Sequence, residues 1–154
     1  DALLPNLSNN IEYFGEQFVV DSTGEFIRRE ERLLLNSANI ALEEAAAQIT
    51  ALGGLAIPAH IDRQANGLIA LLGLIPPGFE ALEISRHITP QAAQQKYPQV
   101  KGYPLLQSGD VHLLDGFIGT TWLSLEKPTI AEIRLALANK EGRAVSISAQ
   151  QKLT

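Results

Sequence analysis

Cysteine is absent from the 154 residues. Disulfides, thiolate metal sites and cysteine nucleophiles are therefore excluded, and a transition-metal site must combine histidine with aspartate or glutamate. Histidine is itself scarce: His60, His87 and His112 are the only three, so their placement is informative. Methionine is missing even at the first position, Asp1, and the chain reads as cut from something longer. No stretch reaches the roughly 20 apolar residues of a membrane helix. No signal-peptide pattern opens the sequence, so the expected location is the cytoplasm. Basic runs are lacking too, none being longer than Arg28-Arg29, and the formal net charge is −5. Neutralising a nucleic-acid backbone needs clustered Lys and Arg, which argues against nucleic acid as the main partner. One small phosphorylated ligand stays within reach, because a single Arg and a metal suffice to hold it.

What is present fits a folded chain with one modest core, since 45% of the residues are hydrophobic. Residues 1–10 are polar and Asn-rich and read as a linker or a frayed start. Residues 11–35 predict a β-hairpin: Phe18-Val19-Val20 is a short apolar run, Asp21-Ser22-Thr23-Gly24 supplies the turn, and Glu25-Phe26-Ile27 returns. Leu33-Leu34-Leu35 follows as a candidate buried segment. A helix is expected over 40–52, with Asn39 as its N-cap and Gly53 at its end. Leu55–Ala59 is a short strand candidate, 65–74 a second helix, and Ala81–Ser85 another strand. Thr89-Pro90 opens a helix that must end before Pro98. Tyr103–Gln107 and Thr121–Leu125 are further strands, with Trp122 expected in the core. Thr129 and Glu132 have capping-box spacing for a helix through about Asn139. Strand-then-helix repetition with short connections predicts an α/β fold with a largely parallel sheet.

Functional residues in parallel α/β folds sit at the C-terminal ends of strands. His60 directly follows Leu55–Ala59, and Asp110 and His112 follow the strand ending near Gln107. In an extended segment, residues two apart point the same way. Asp110 and His112 can thus address one ion together, and the His and Asp mixture suits Zn, Mn or Fe. Arg63 lies three residues after His60. Its guanidinium has two uses: gripping a phosphate through paired hydrogen bonds, or pairing with Asp62 or Glu83. Glu83 reads as a structural carboxylate that holds Arg86, and His87 as a surface residue.

These pieces, in order, resemble a known family. Gly53-Gly54-Leu55-Ala56-Ile57-Pro58-Ala59-His60 is similar to the G-G-x-x-x-x-A-H segment of the polymerase-and-histidinol-phosphatase (PHP) phosphoesterases. Ala81-Leu82-Glu83-Ile84-Ser85 resembles the strand that follows it, and Ser108-Gly109-Asp110-Val111-His112 resembles the family's S-D-A-H metal motif. Phe117-Ile118-Gly119 and the ending Ala136-Leu137, Gly142-Arg143 also match. Phe14–Gln17, Arg29–Leu35 and Ala59–Arg63 resemble bacterial members related to histidinol phosphatases. The resemblance spans about residues 12 to 145.

The resemblance implies a partial, distorted (β/α)7 barrel: C-terminal strand-helix units with an N-terminal hairpin, residues 11–145 being the C-terminal part of a PHP domain and 146–154 a tail. It implies metal ligation by His60, Asp110 and His112, and contact of Arg63 with the substrate phosphate. In the family, two or three divalent ions hold the phosphate of a small phosphoester and activate a water. The family's H-x-H and D-H motifs do not occur here, and the resemblance puts them before Asp1. The expected activity is hydrolysis of a phosphate ester at a site completed by upstream residues. The alternative is a non-catalytic half-barrel that binds a missing N-terminal half or forms a homo-oligomer, since open sheet edges invite pairing.

Overall fold

The computed structural model describes residues 3–113 and 120–148. The chain divides into two units, Asp1–Leu42 and Glu43–Thr154.

The first unit is organised by polar contacts. A single helical turn, α1 (Ile11–Phe14), is capped by Asn10, whose side chain accepts from the Tyr13 N–H at 3.2 Å. Strands β1 (Phe18–Val20) and β2 (Phe26–Arg29) pair antiparallel, with a register shift between Val19 and Val20. Asp21 builds the turn between them: Oδ1 accepts from the Thr23 N–H at 2.8 Å and the Glu25 N–H at 3.0 Å. The Gln17 amide donates to the Glu30 and Arg32 carbonyls and accepts from the Leu34 N–H, so one side chain pins the returning strand and its continuation. Among the described residues of this unit, only Glu30 is buried. Its carboxylate takes Arg32 and Arg28 at 2.9 Å each. Hydrogen bonds from Arg32 first, then Arg28, hold its pKa at about 2.

The expected hairpin thus forms over 18–29, while residues 11–14 turn helical. Leu34 and Leu35 are exposed, against the expectation of a buried run. Their segment is held by its backbone, through Leu33 N–H to Leu7 O and Leu34 N–H to Gln17. It joins no sheet that would give it an inward face.

The second unit holds the apolar core. Its elements are α2 (Leu42–Ala51, beginning at the unit boundary), α3 (Leu68–Leu72), β3 (Leu82–Ile84), α4 (Pro90–Lys96), a 3-10 turn over Pro98–Val100, β4 (Leu105–Gln107), β5 (Thr121–Ser124), α5 (Ile130–Leu137) and β6 (Ala144–Ile147). Strands β3 and β4 pair in parallel, Leu82 opposite Leu105 and Ile84 opposite Gln107. Alternate residues of both are buried, as a strand packed on one face requires. Ile61, Leu82, Ile84 and Val100 are fully buried, each worth about 1.5–3 kcal/mol of apolar transfer.

Several expectations need correcting. α2 begins at Leu42, so Asn39 does not cap it. The Leu55–Ala59 segment is not a regular strand, although its end runs beside β3: the Glu83 N–H donates to the Pro58 carbonyl at 3.1 Å, and the Ile61 N–H to the Glu83 carbonyl at 2.9 Å. Pro58 has no N–H to continue such a ladder, and His60 adopts φ 29°. β6 runs across the expected boundary at residue 145 and pairs antiparallel with β5. The described sheets are three separate two-stranded pairings, two antiparallel and one parallel. Trp122 is 64% exposed, as its β5 neighbours Leu123 and Ser124 also are, and its indole N–H donates to the Ser148 hydroxyl at 3.3 Å. The capping box at α5 is half made. Thr129 accepts from the Glu132 N–H, but the Glu132 carboxylate accepts from Arg143 and the Glu126 N–H instead. Phe117-Ile118-Gly119 and residues 149–154 lie outside the described residues. Among the described residues no helix is long and apolar enough to cross a membrane.

Candidate metal and phosphate site

Two chain segments end beside each other at the C-terminal edge of the β3–β4 pair. The first leaves the β3 flank at Ile61 and turns through His60–Arg63 into the loop before α3. The second leaves β4 at Gln107 and turns through Ser108–Asp110. Buried polar contacts fix both. Asp62 accepts from the Ser85 N–H at 2.6 Å and the Ser85 hydroxyl at 2.7 Å, which ties the first segment to the end of β3. The buried Gln107 amide donates to the Ser85 carbonyl at 2.9 Å and the Ile88 carbonyl at 2.8 Å, which ties the end of β4 to the same loop. Thr121 secures Gln107 from the other side, its hydroxyl meeting both the Gln107 N–H and carbonyl.

A cavity of about 110 Å³ opens there, lined in part by His60, Arg63, Glu83, Ser85, Ser108 and Asp110. The Arg63 guanidinium lies between the two segments. Its Nη2 donates to Asp110 Oδ2 at 2.5 Å, and its Nη1 faces His60 Nε2 at 3.3 Å. His60 Nδ1 is buried, has no hydrogen-bond partner among the described residues, and stands 3.7 Å from Glu83 Oε1, beyond hydrogen-bond range. His112 Nε2 is 3.4 Å from Asp110 Oδ1, and its ring is 84% exposed.

Strain is concentrated here. Of the five described non-glycine residues at positive φ, two are His60 (29°) and Asp110 (52°). Such conformations persist where the surroundings over-determine them, and they cluster at functional sites. Burial alone would raise the Asp110 pKa, but the hydrogen bond from Arg63 and the charges of Arg63, His60 and His112 outweigh it and leave it below the usual carboxylate value. Asp110 is a carboxylate at neutral pH.

The sequence-predicted residues are thus partly brought together. Arg63 bridges His60 and Asp110, and His112 stays next to Asp110 but outside. Arg63 pairs with neither Asp62 nor Glu83. Asp62 is instead the anchor to Ser85, and Glu83 faces His60. Glu83, expected to be a structural carboxylate holding Arg86, instead faces His60; the signal for this is its place between buried Leu82 and Ile84, where period-2 alternation sends it to the opposite face. The anchoring roles of Asp62, Ser85 and Gln107 had no local signal.

Two imidazoles and two carboxylates are the right kinds of donor for Zn, Mn or Fe, and the buried Nδ1 of His60 has no partner among the described residues. The residues therefore fit a divalent ion in kind. Among the described residues, however, no three His, Asp or Glu side chains form a group that could hold one, and Arg63 lies between the principal donors. No family model, no curated protein and no solved structure matches the chain.

Proposed function

We propose that this chain is the C-terminal part of a PHP-type, metal-dependent phosphoesterase, acting on a small phosphorylated substrate in the cytoplasm. The observation that carries the reading is the convergence of His60, from the loop that runs beside β3, and Asp110, from the loop after β4, on one guanidinium, Arg63, which lies 47 residues before Asp110. A strand-end cavity that presents an imidazole, a carboxylate and an arginine fork matches what phosphoester hydrolysis needs: donors for a cation and a planar binder for the phosphate.

His60, Asp110 and His112 are the ligands in this reading, completed by residues upstream. When bound, the two or three divalent ions polarise the phosphate and make a water acidic enough to act as nucleophile. Arg63 donates paired N–H groups to phosphate oxygens and neutralises their charge. Ser108 lines the same cavity and offers its hydroxyl to the phosphate, whereas the Ser85 hydroxyl is committed to Asp62.

The test is a calorimetric titration with Mn²⁺ and Zn²⁺ beside a His112→Ala variant, together with phosphate release by the intact parent chain and its His60→Ala variant. Saturable ion binding that His112→Ala weakens, and loss of turnover in His60→Ala, are the expected results. Near-normal turnover by His60→Ala would sink the ligand assignment. A second reading, a half-barrel that binds a partner without catalysis, draws on the lack of a three-donor group among the described residues and on the exposed Phe18, Phe26 and Ile27 of the hairpin.

A further inference from the structure

We propose that the phosphate and the organic part of the substrate occupy two adjoining cavities, and that the larger of them takes a small, uncharged, hydroxyl-bearing group of sugar size. This rests on the phosphoesterase reading above and names its substrate class. Beside the 110 Å³ cavity of the candidate site lies a second of about 340 Å³. Arg86 and His87 line both, so the two spaces adjoin at these side chains. Both residues are exposed, and among the described residues neither side chain has a hydrogen-bond or ion-pair partner. Arg63, by contrast, is bonded to Asp110. The boundary thus carries a guanidinium and an imidazole whose donors are available to a ligand that reaches from one cavity into the other.

The walls of the larger cavity say what that ligand is like. Its volume is at the lower end of small-molecule sites, which begin at roughly 300 Å³. Ile88 and Ile147 offer apolar surface to a carbon skeleton. Gln107, also in its wall, offers an acceptor. The Gln107 amide nitrogen donates to the Ser85 and Ile88 carbonyls. Carbonyls only accept, so these two bonds fix which end of the amide is nitrogen. The amide oxygen has no hydrogen-bond partner among the described residues, although Gln107 is only 7% exposed. A buried acceptor left unpaired is costly, and a hydroxyl on the ligand satisfies it where an apolar group does not. Among the described residues no Asp or Glu lines this cavity, while Arg86 does. An ammonium group there meets a like charge and no counter-charge, a penalty that a neutral hydroxyl escapes.

The test is calorimetric titration of the chain, with and without Mn²⁺, against inorganic phosphate, glucose 6-phosphate and glucosamine 6-phosphate, the last at a pH where its amine is protonated. It compares the unmodified protein with Arg86→Gln and Gln91→Trp, with thermal unfolding as a check on folding. Both positions are exposed, and Gln91 lines the larger cavity and not the smaller. Glucose 6-phosphate should bind about tenfold more tightly than inorganic phosphate, the gain expected of one or two added hydrogen bonds. Glucosamine 6-phosphate should lose most of that gain. Gln91→Trp, which fills the larger cavity with an indole, should bring glucose 6-phosphate down to the level of inorganic phosphate. Arg86→Gln should weaken the binding of both. Equal binding of inorganic phosphate and glucose 6-phosphate, or an advantage of glucose 6-phosphate that survives in Gln91→Trp, overturns the two-cavity seating and leaves the phosphoesterase reading standing. Glucosamine 6-phosphate binding as tightly as glucose 6-phosphate overturns the preference for an uncharged group. No binding of any of the three probes overturns both the seating and the phosphoesterase reading.

Discussion

Replacing Asp62 should unfasten the candidate site from its scaffold, and the size of the effect follows from two bonds. The Asp62 carboxylate accepts from the Ser85 N–H at 2.6 Å and from its hydroxyl at 2.7 Å. Hydrogen bonds to a charged acceptor contribute about 1.5–3 kcal/mol each. Asp62 is only half-buried, so the lower end applies, and Asp62→Ala should cost about 3 kcal/mol. Ser85 is 8% exposed, so water cannot readily replace the lost acceptor. Domain stabilities of about 5–15 kcal/mol leave the variant folded. With a urea slope of about 1.5 kcal/mol per molar, the unfolding midpoint should fall by about 2 M. Asp62→Asn keeps one acceptor oxygen and should show about half that shift. The assay is urea unfolding followed by circular dichroism, with Mn²⁺ titration of the folded variants. A midpoint shift below about 0.3 M for Asp62→Ala would refute the claim that this carboxylate ties the His60–Arg63 turn to β3.

Three further outcomes follow from the same geometry. A Cβ at Gly67 would lie 2.1 Å from the Arg63 carbonyl oxygen and 2.9 Å from its backbone nitrogen. Gly67→Ala must therefore shift the backbone of the site turn, at a cost of about 1–3 kcal/mol; an unchanged melting temperature would contradict this. Gln107→Leu leaves the Ser85 and Ile88 carbonyls without the amide that serves them, costing about 1–3 kcal/mol for each carbonyl left unsatisfied, and hydrogen exchange in the 85–88 loop should accelerate. In the first unit, the Glu30 pKa is lowered from 4.5 to about 2 by Arg32 and Arg28. A carboxylate depressed in the folded state stabilises fully above its unfolded value and stops doing so as pH falls through its folded one. Hairpin amide signals should weaken as the pH drops from about 4.5 towards 2, and Glu30→Gln should reduce that dependence, the remainder coming from the Asp21 carboxylate of the turn, which Thr23 and Glu25 also hold below its usual value.

What the sequence made legible, and what it did not, divides by the range of the interactions concerned. Local signals held. Thr89 caps α4 and Pro90 opens it, Thr129 caps α5, and the Asp21 turn closes the hairpin, each being decided within a few residues. The placement of Asp110 just after a strand was equally readable, because β4 follows from its apolar pattern, whereas the strand expected before His60 is not formed. The errors were made at long range. Trp122 is expected inside because it is large and apolar, yet a strand buries only a face that another layer covers, and successive β5 residues Trp122, Leu123 and Ser124 are all exposed. Leu34 and Leu35 were read as core by composition, while the unit they belong to is built around a buried Glu30 and the Gln17 amide. Arg63 shows the same limit at the site. Sequence reading leaves Arg63 either to grip a phosphate or to pair with Asp62 or Glu83, but Asp62 is engaged by Ser85, 23 residues away, and Glu83 faces the His60 ring. The carboxylate the guanidinium does meet, Asp110, comes from the loop after β4, 47 residues along the chain, and that contact becomes readable only when the whole strand end is seen together.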